Sequence, residues 1–296
     1  MAILKKIIKH VDFLKKLNLI NIKQTSIFSN IYHCCTQKTA SQWFKDLFMD
    51  PIFYRYTGLD VCSFVDWRQY FINETMDNDL PMIDVSTKFY TECVDLHPLP
   101  EHTIGGYFYV GYETYKEIPK QNNYRTFFIM RDPRDIVISW YFSTLHSHGL
   151  SAHIKKCRSE LDRLSLVEGL KFSIDTINGF GLFSGQKSWA ENAKKDGNVK
   201  IFYYEDFARD NNHFIQKLFN YLMIDIPEME LQRLLERHKY ELYSGGREIG
   251  DENIHSHYRK GVPGDWAQYF NDDVATHFKS VTGDLLYVLG YKDANV

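Results

Sequence analysis

The sequence has few cysteines and prolines and no long apolar run. Its 296 residues include five cysteines and eight prolines, and two of the cysteines, Cys34 and Cys35, are adjacent. An odd number of cysteines with an adjacent pair does not favour a framework of disulfide bonds. No stretch approaches the roughly 18 uninterrupted apolar residues of a membrane-spanning helix, and the N-terminus lacks the long apolar centre of a signal peptide. We therefore expect reduced thiols, a cytoplasmic location and no transmembrane segment.

The sequence also lacks an excess of basic residues. It contains 35 Lys and Arg against 38 Asp and Glu, which gives a net charge of −3. Proteins that bind nucleic acids usually carry a positive surplus, so we expect no nucleic-acid partner, and any bound anion must be held by a local pocket. Aromatic residues are plentiful at 16% of the chain. They are typical of a packed core and of surfaces on which a flat ligand stacks.

The first 25 residues differ in composition from the rest of the chain. They contain six lysines and one aspartate, and apolar residues between Leu4 and Leu14 recur at helical spacing. This pattern predicts an amphipathic helical extension over residues 1–25, packed on the domain or on a partner subunit. A basic helix at a membrane surface and a disordered tail are the alternatives. Residues 26–296 show no linker or repeat, so we expect a single domain there; whether the chain forms a homo-oligomer stays open.

Short apolar segments alternate with helical patterns along the domain. Strands are predicted at Ile27–Cys35, Thr126–Met130 and Val199–Tyr203, with a fourth at Gly105–Val110. Such alternation indicates an α/β fold in three layers, with a central, mainly parallel sheet and helices on both faces. The longest loop-like stretch, Tyr243–Trp266, contains five glycines. A loop of this length in a compact domain usually serves as a lid or a binding loop.

Three segments contain the residue types that bind a phosphate or sulfate. The turn Thr36–Gln42 joins the first strand to a helix, and it places Lys38 where a helix N-terminus attracts anions. Arg131 ends the second main strand and offers a planar fork for a phosphate dianion, with Ser139 in the helix that follows. Arg259-Lys260-Gly261 places two cations beside a flexible residue in the long loop. Each segment also has a purely structural interpretation: an ordinary turn for the first, a salt bridge of Arg131 to neighbouring aspartates for the second, and a solvated charge pair for the third. The turn is not a Walker A loop, because it lacks the terminal Gly-Lys-Ser/Thr.

Taken together, these segments resemble the motifs of the cytosolic-type sulfotransferases. TQKTASQW (Thr36–Trp43) is similar to their 5′-phosphosulfate loop, and RDPRDIVIS (Arg131–Ser139) is similar to their 3′-phosphate motif. RKGVPGDW (Arg259–Trp266) resembles their C-terminal motif. The three occur in the family's order and spacing, and the similarity extends over roughly residues 27–291. The resemblance implies the family's fold, which is similar to that of P-loop NTPases.

The resemblance also implies a reaction and a set of binding residues. The reaction is transfer of a sulfuryl group from 3′-phosphoadenosine 5′-phosphosulfate (PAPS) to a hydroxyl or amine of a small organic acceptor, which leaves 3′,5′-bisphosphoadenosine (PAP). No metal is implied, since protein cations neutralise the charge and Lys38 stabilises the leaving group. By position, the nucleotide-binding residues are Gln37, Lys38, Thr39, Ala40, Ser41 and Gln42 at the 5′ end, Trp43, Tyr204 and Tyr240 at the adenosine, and Arg131, Ser139, Arg259, Lys260 and Gly261 at the 3′-phosphate.

The chain departs from the family pattern in the turn and at the catalytic base. Ala40 stands where glycine is usual, which suits the turn if Ala40 avoids a positive φ. The Lys-Thr-His of many members is missing, and Tyr112 and Glu113 fall near its position. Other branches use a glutamate, so we predict that Glu113 is the base that takes the acceptor's proton. The alternative bases are His102, His146 and His148.

Two other functions stay open from the sequence. A nucleotide-binding module without a base would bind the donor but transfer nothing, and a kinase-like phosphotransferase would consume ATP with magnesium. Paired histidines, His146 with His148 and His255 with His257, have a spacing seen in metal sites, but no cysteine or acidic cluster accompanies them. The acceptor's identity is not encoded in a motif, because loops build the acceptor pocket.

Overall fold

The computed structural model describes residues 21–62 and 98–292. The strands in these residues are β1 (Asn30–Cys35), β2 (Asp60–Cys62), β3 (Thr103–Gly105), β4 (Phe108–Tyr109), β5 (Tyr124–Met130) and β6 (Val199–Tyr203). These six strands form one sheet in the order β2-β3-β1-β5-β6, with β4 also paired to β1, and each of these pairings is parallel. The predicted α/β fold with a central parallel sheet is therefore confirmed.

Thirteen α-helices accompany the sheet in the described part of the chain. They are α1 (Ser41–Phe48), α2 (Pro51–Thr57), α3 (Tyr112–Glu117), α4 (Pro133–Phe142), α5 (Ala152–Leu161), α6 (Leu166–Gly179), α7 (Leu182–Asn192), α8 (Tyr204–Arg209), α9 (Asn211–Tyr221), α10 (Glu228–Glu236), α11 (Tyr240–Ser244), α12 (Asp272–Thr282) and α13 (Leu285–Leu289). A π-helical turn, Ser143–Ser147, extends α4, and Asp265–Gln268 is a 3-10 turn. Side chains cap the N-termini of several helices: Asp132, for example, accepts a hydrogen bond from the Arg134 N–H at the start of α4.

Two neighbouring residues of β5 show how helices cover both faces of the sheet. Successive side chains of a strand point to opposite faces. The ring of Phe127 lies 6.3 Å from Phe44 of α1, whereas the ring of Phe128 stacks at 4.7 Å on Trp189 of α7. Helices α1 and α7 therefore pack on opposite faces. All four rings are buried, so this packing forms the centre of the core.

The carboxyl ends of three neighbouring strands meet at one edge of the sheet. β1 pairs with β5 as far as Cys35 opposite Ile129, and β5 pairs with β6 as far as Met130 opposite Tyr203. Ligands of open parallel sheets bind beyond this edge. The residues that come directly after the three strands, Thr36, Arg131 and Tyr204, are consequently brought close together.

The sheet differs from the sequence-based prediction on its outer side. The predicted strand Gly105–Val110 is divided between β3 and β4: at Gly106 the N–H still donates to the carbonyl of Cys62 in β2, but the carbonyl contacts Nδ1 of buried His33 at 2.8 Å. β2, with three residues, was not predicted at all. Val199–Tyr203 was predicted with its observed bounds, and the first strand begins at Asn30 instead of Ile27.

Some predictions fall outside the described residues. Only residues 21–25 of the predicted N-terminal extension are described, and they form neither a helix nor a strand. Cys93 lies in the undescribed segment 63–97, and Cys34, Cys35 and Cys157 are free thiols. Among the described helices, none combines the length and the apolar character needed to cross a membrane.

Candidate functional site

The turn after β1 is built on two left-handed residues. Lys38 has a φ of +68° and Ala40 a φ of +61°. Between them, the buried Thr39 donates its hydroxyl hydrogen to the carbonyl of Thr36 at 2.8 Å. The structure corrects the expectation that Ala40 avoids a positive φ, because the chain must turn sharply here between a buried strand and the buried face of α1.

The N-terminus of α1 is open toward a cavity. Ala40 is its N-cap residue, and no side chain in the described part of the chain caps it. The first N–H groups of a helix have no partners within the helix, and the helix dipole is positive at this end, so the site attracts an anion. The hydroxyl of Ser41 lies 2.8 Å from the hydroxyl of Tyr109 in β4. The turn and α1 thus form a cradle of N–H and hydroxyl groups.

Arg131 joins the three strand ends. Its Nη1 donates to the carbonyl of Lys38 at 2.6 Å, and its guanidinium lies 4.1 Å from the ring centre of Tyr204, at the end of β6. Gln186 of α7 holds the Arg131 carbonyl at 2.7 Å. The Nε of Arg131 is buried and has no partner among the described residues. A buried guanidinium with an unused donor is suited to a bound phosphate.

Lys38 places a positive charge in the same cavity. Burial and the nearby Arg131 guanidinium lower the pKa of Lys38 to about 7. Within the described residues, the Lys38 ammonium makes no hydrogen bond or ion pair. An ammonium that is disfavoured by desolvation and left without a counter-ion gains most from a bound anion.

The start of α4 is bonded to the end of the long loop. Asp135 accepts hydrogen bonds from the backbone N–H groups of Gly264 at 2.6 Å and Trp266 at 2.9 Å. Arg134 pairs with Asp132 at 2.7 Å and lies 3.5 Å from the ring centre of Trp266. Of the charges in RDPRD, Asp132, Arg134 and Asp135 therefore fix the structure, and Arg131 is left to face the cavity.

The two cations of the third motif are held by acidic partners. Asp265 forms ion pairs with both Arg259 and Lys260, the latter at 2.6 Å, and these cations lower the pKa of Asp265. Glu252 also pairs with Arg259. Gly261 follows with a φ of +76°, and a side chain there would lie only 2.8 Å from the ring of Tyr240. The backbone at Gly261 thus packs directly against a tyrosine predicted to contact the nucleotide.

All three motifs line one cavity of about 680 Å³. Of the predicted nucleotide-binding residues, Thr39 is absent from its lining, because its side chain turns back to Thr36. Trp43 shows how the wall is fixed: its Nε1 donates to the carbonyl of His238 at 2.7 Å, and its ring meets Phe207 at 4.7 Å. The predicted residues that line the cavity are Gln37, Lys38, Ala40, Ser41, Gln42, Trp43, Arg131, Ser139, Tyr204, Tyr240, Arg259, Lys260 and Gly261.

The favoured base does not line this cavity. Glu113 lies in the first turn of α3, where its side chain is exposed. His102 is exposed beside β3, and His146 packs its ring against His255 at 4.9 Å. Glu113, His102 and His146 are all absent from the lining, whereas His148 is part of it.

Several lining residues were not predicted as site residues. His257 lines the cavity, and burial together with the charge of Lys38 lowers its pKa to about 4. Tyr107 and Tyr109, whose rings lie 5.0 Å apart, contribute a second wall. The histidine pairs were visible in the sequence, but nothing local indicated which member of each pair would face inward. Among the described residues, no three His, Cys, Asp or Glu side chains lie together so as to hold a metal ion.

Comparisons with known proteins agree with this geometry. The family model for the sulfotransferase domain matches residues 25–290. The rabbit (Oryctolagus cuniculus) amine sulfotransferase is 23% identical over 175 residues, 55% of this chain and 54% of its own length. Human sulfotransferase 1C2 is 24% identical over 160 residues, 51% of this chain and 50% of its own length. The chain therefore spans about half the length of these curated relatives.

A solved structure supports the same conclusion for the fold. The crystal structure of mouse sulfotransferase SULT7A1, complexed with PAP, matches at a TM-score of 0.51 and 16% identity. The match covers 92% of this chain and 87% of that one. At this identity the likeness concerns the fold alone. Since the family model spans most of the chain and its three motifs line one cavity, the protein belongs to the sulfotransferase family.

Proposed function

We propose that this protein transfers a sulfuryl group from PAPS to the hydroxyl of an uncharged organic acceptor. The observation that carries the proposal is the meeting of Lys38, Arg131 and the Arg259-Lys260 pair on one cavity. PAPS has a phosphosulfate at one end and a phosphate at the other, and these cations lie on segments that the resemblance assigns to its two ends. The Nε of Arg131, which has no partner among the described residues, and the open start of α1 fit a nucleotide with an anionic group at each end.

Lys38 acts at the 5′ end. In the reaction, the acceptor oxygen forms a bond to sulfur while the bond from sulfur to the bridging oxygen breaks, and that bond's electron pair stays on the 5′-phosphate. The Lys38 ammonium stabilises this growing negative charge, helped by the N–H groups at the start of α1. The pKa of Lys38 is lowered to about 7 by burial and by Arg131, and the negative charge of a bound donor would raise it again. Lys38 would therefore be protonated when the donor is bound.

We assign the proton acceptor to His148. Its Nδ1 contacts the carbonyl of Gly149 at 3.3 Å, so Nδ1 carries the hydrogen and Nε2 is free to accept one. Burial and the charge of Lys38 lower the pKa of His148, which keeps the ring neutral at pH 7. A neutral imidazole near the transfer lysine can take the hydroxyl proton as the new bond to sulfur forms.

Four uncharged side chains of the cavity favour an acceptor without charge. Tyr107, Tyr109, His257 and Tyr258 line the same cavity as His148 with aromatic rings, hydroxyls and an imidazole, and His257 lies near enough to His148 for their charges to interact. None of these four carries a carboxylate to bind an ammonium, and Lys38 is engaged by the donor. The cavity's carboxylates, Glu236 and Glu241, belong to the stretch that bears Tyr240, which the resemblance assigns to the adenosine. An uncharged alcohol or phenol meets these groups without the cost of an unpaired buried charge.

Transfer with radiolabelled PAPS and a panel of phenols, alcohols, sugars and amines tests the function. We expect transfer to uncharged hydroxyl compounds without added metal, and a loss of about 100-fold or more in kcat for Lys38→Met, since a main charge-stabilising group is removed. Lys45→Met is the matched control, because Lys45 lies in α1 but outside the cavity. PAPS binding without transfer would indicate a binding module, and magnesium-dependent consumption of ATP would indicate a kinase.

The base is tested by the dependence of kcat on pH. A base must be unprotonated, so the wild-type rate should fall as the pH drops through the pKa of His148. His148→Asn should lower kcat by about 100-fold or more and remove this acidic limb. His146→Asn is the matched control on the same π turn, and Glu113→Gln tests the carboxylate predicted from the sequence. If Glu113→Gln removes the limb and His148→Asn does not, the assignment to His148 is wrong.

A further inference from the structure

One arginine of the long loop acts on the backbone instead of the cavity. Arg247 is half-buried and does not line the cavity. Its guanidinium donates to four backbone carbonyls: Ser244 at 3.1 Å, Asp251 at 2.6 Å, Tyr258 at 2.6 Å and Arg259 at 2.9 Å. Arginine's five N–H donors in a fixed planar arrangement make such multiple bonding feasible, and no other side-chain type offers it.

These carbonyls lie on two stretches of the long loop, residues 244–253 and 258–264, which we call its arms. The arms also exchange backbone bonds, since the N–H of Gly250 donates to the carbonyl of Lys260 at 2.8 Å and that of Asn253 to the carbonyl of Arg259 at 2.9 Å. Residues 245–264 contain no helix or strand, and glycines at 245, 246, 250, 261 and 264 give the backbone wide freedom. The bonds from Arg247 add to these backbone bonds and to the ion pairs of Asp265 in holding the stretch that bears Arg259.

We propose that Arg247 is a positioning residue for the 3′-phosphate end of the nucleotide site. It holds the carbonyls of Tyr258 and Arg259, and thereby fixes where the Arg259 and Lys260 side chains enter the cavity. The role rests on the proposed function, because it concerns the grip on PAPS and PAP. Arg247 does not line the cavity itself, so its effect must pass through the residues that it holds: it donates to the carbonyls of Tyr258 and Arg259, and its side chain also faces the hydroxyl of Tyr240. The proposed route is through Arg259, which the resemblance places at the 3′-phosphate.

Calorimetric titrations with PAP and with adenosine 5′-monophosphate, which lacks the 3′-phosphate, test this role. For Arg247→Lys and Arg247→Gln, we expect PAP affinity to fall about tenfold or more, because the hydrogen bonds from the charged guanidinium that hold the Arg259 backbone are lost. The affinity for the monophosphate should change less than about twofold. An arginine that merely supports the fold would weaken both ligands equally. Arg233→Gln is the matched control, since Arg233 is exposed on α10 and pairs only with its helix neighbour Glu230 among the described residues.

Amide hydrogen exchange supplies a second measurement that does not depend on binding. The N–H groups of Gly250 and Asn253 should exchange faster in Arg247→Lys, with the strands of the sheet unchanged. If wild type prefers PAP to the monophosphate and both Arg247 variants keep that preference, the positioning role is wrong. If wild type itself shows no preference for PAP, the proposed 3′-phosphate site fails instead.

Discussion

At the scale of the residue, Ala40 places a side chain where the backbone favours glycine. Its φ of +61° brings Cβ close to the following carbonyl, and a left-handed conformation costs an L-residue about 1–2 kcal/mol. Strain of this kind persists where surrounding contacts hold it, often at functional turns. In this chain, the buried strand on one side and the buried face of α1 on the other hold the turn in place.

Replacing Ala40 with glycine should therefore stabilise the protein. We expect Ala40→Gly to raise the free energy of unfolding by about 1 kcal/mol, measured by urea denaturation, because glycine adopts a positive φ without a Cβ clash. The same substitution inside helix α7, Ala190→Gly, is the control and should lower the free energy of unfolding by about 1 kcal/mol. Equal destabilisation by both substitutions would show that Ala40 is unstrained.

At the scale of the element, the long loop combines a backbone requirement with a packing requirement. Gly261 and Gly245 have nearly the same φ, +76° and +81°, but a Cβ at Gly261 would meet the Tyr240 ring, whereas a Cβ at Gly245 meets nothing within 4 Å. Alanine at either position would be strained by the positive φ, but only alanine at Gly261 would also contact the Tyr240 ring. Comparing the two substitutions therefore separates the cost of backbone strain from the cost of the contact.

We expect Gly245→Ala to lower the free energy of unfolding by about 1–2 kcal/mol through strain alone. Gly261→Ala should cost about 1–3 kcal/mol beyond that, because the Tyr240 ring must move. Gly261→Ala should also weaken PAP binding, whereas Gly245→Ala should not; thermal denaturation and calorimetry measure the two effects. If the two substitutions behave alike in both measurements, the contact with Tyr240 has no role.

The π turn after α4 decides which of the two neighbouring histidines, His146 or His148, lines the cavity. His146 follows Ser139 at the i, i+7 spacing that keeps two residues on one face of an α-helix. The chain instead closes a π turn, in which the N–H of His148 donates to the carbonyl of Ser143 at 2.7 Å. π turns are rare and are frequently found at functional sites, and they change the spacing of the residues that follow. His148 lines the cavity as a result, and His146 does not.

At the scale of the whole molecule, the sequence was most informative where local pattern and chain topology agree. Apolar runs identified β1, β5 and β6, and parallel strands share an edge, so the meeting of Lys38, Arg131 and Tyr204 could be predicted. The position of Arg259 followed from the family motif. The sequence could not predict that His148 and His257 would line the same cavity, since they come together only when the long loop folds over the end of α4. Glu113 was favoured by position along the chain, but α3 turns its side chain to solvent.

The hydrogen bonds from Gly264 and Trp266 to Asp135 join stretches that are 129 and 131 residues apart in sequence. We expect an insertion beside Asp135 to disturb both hydrogen bonds, because both are accepted by its one carboxylate. Among the described residues, the stretch beyond the π turn, which bears the proposed base His148, makes no such hydrogen bond to Asp135. For the proposed function, this difference predicts that segments facing the acceptor can change one at a time, whereas the two segments assigned to the 3′-phosphate must change together.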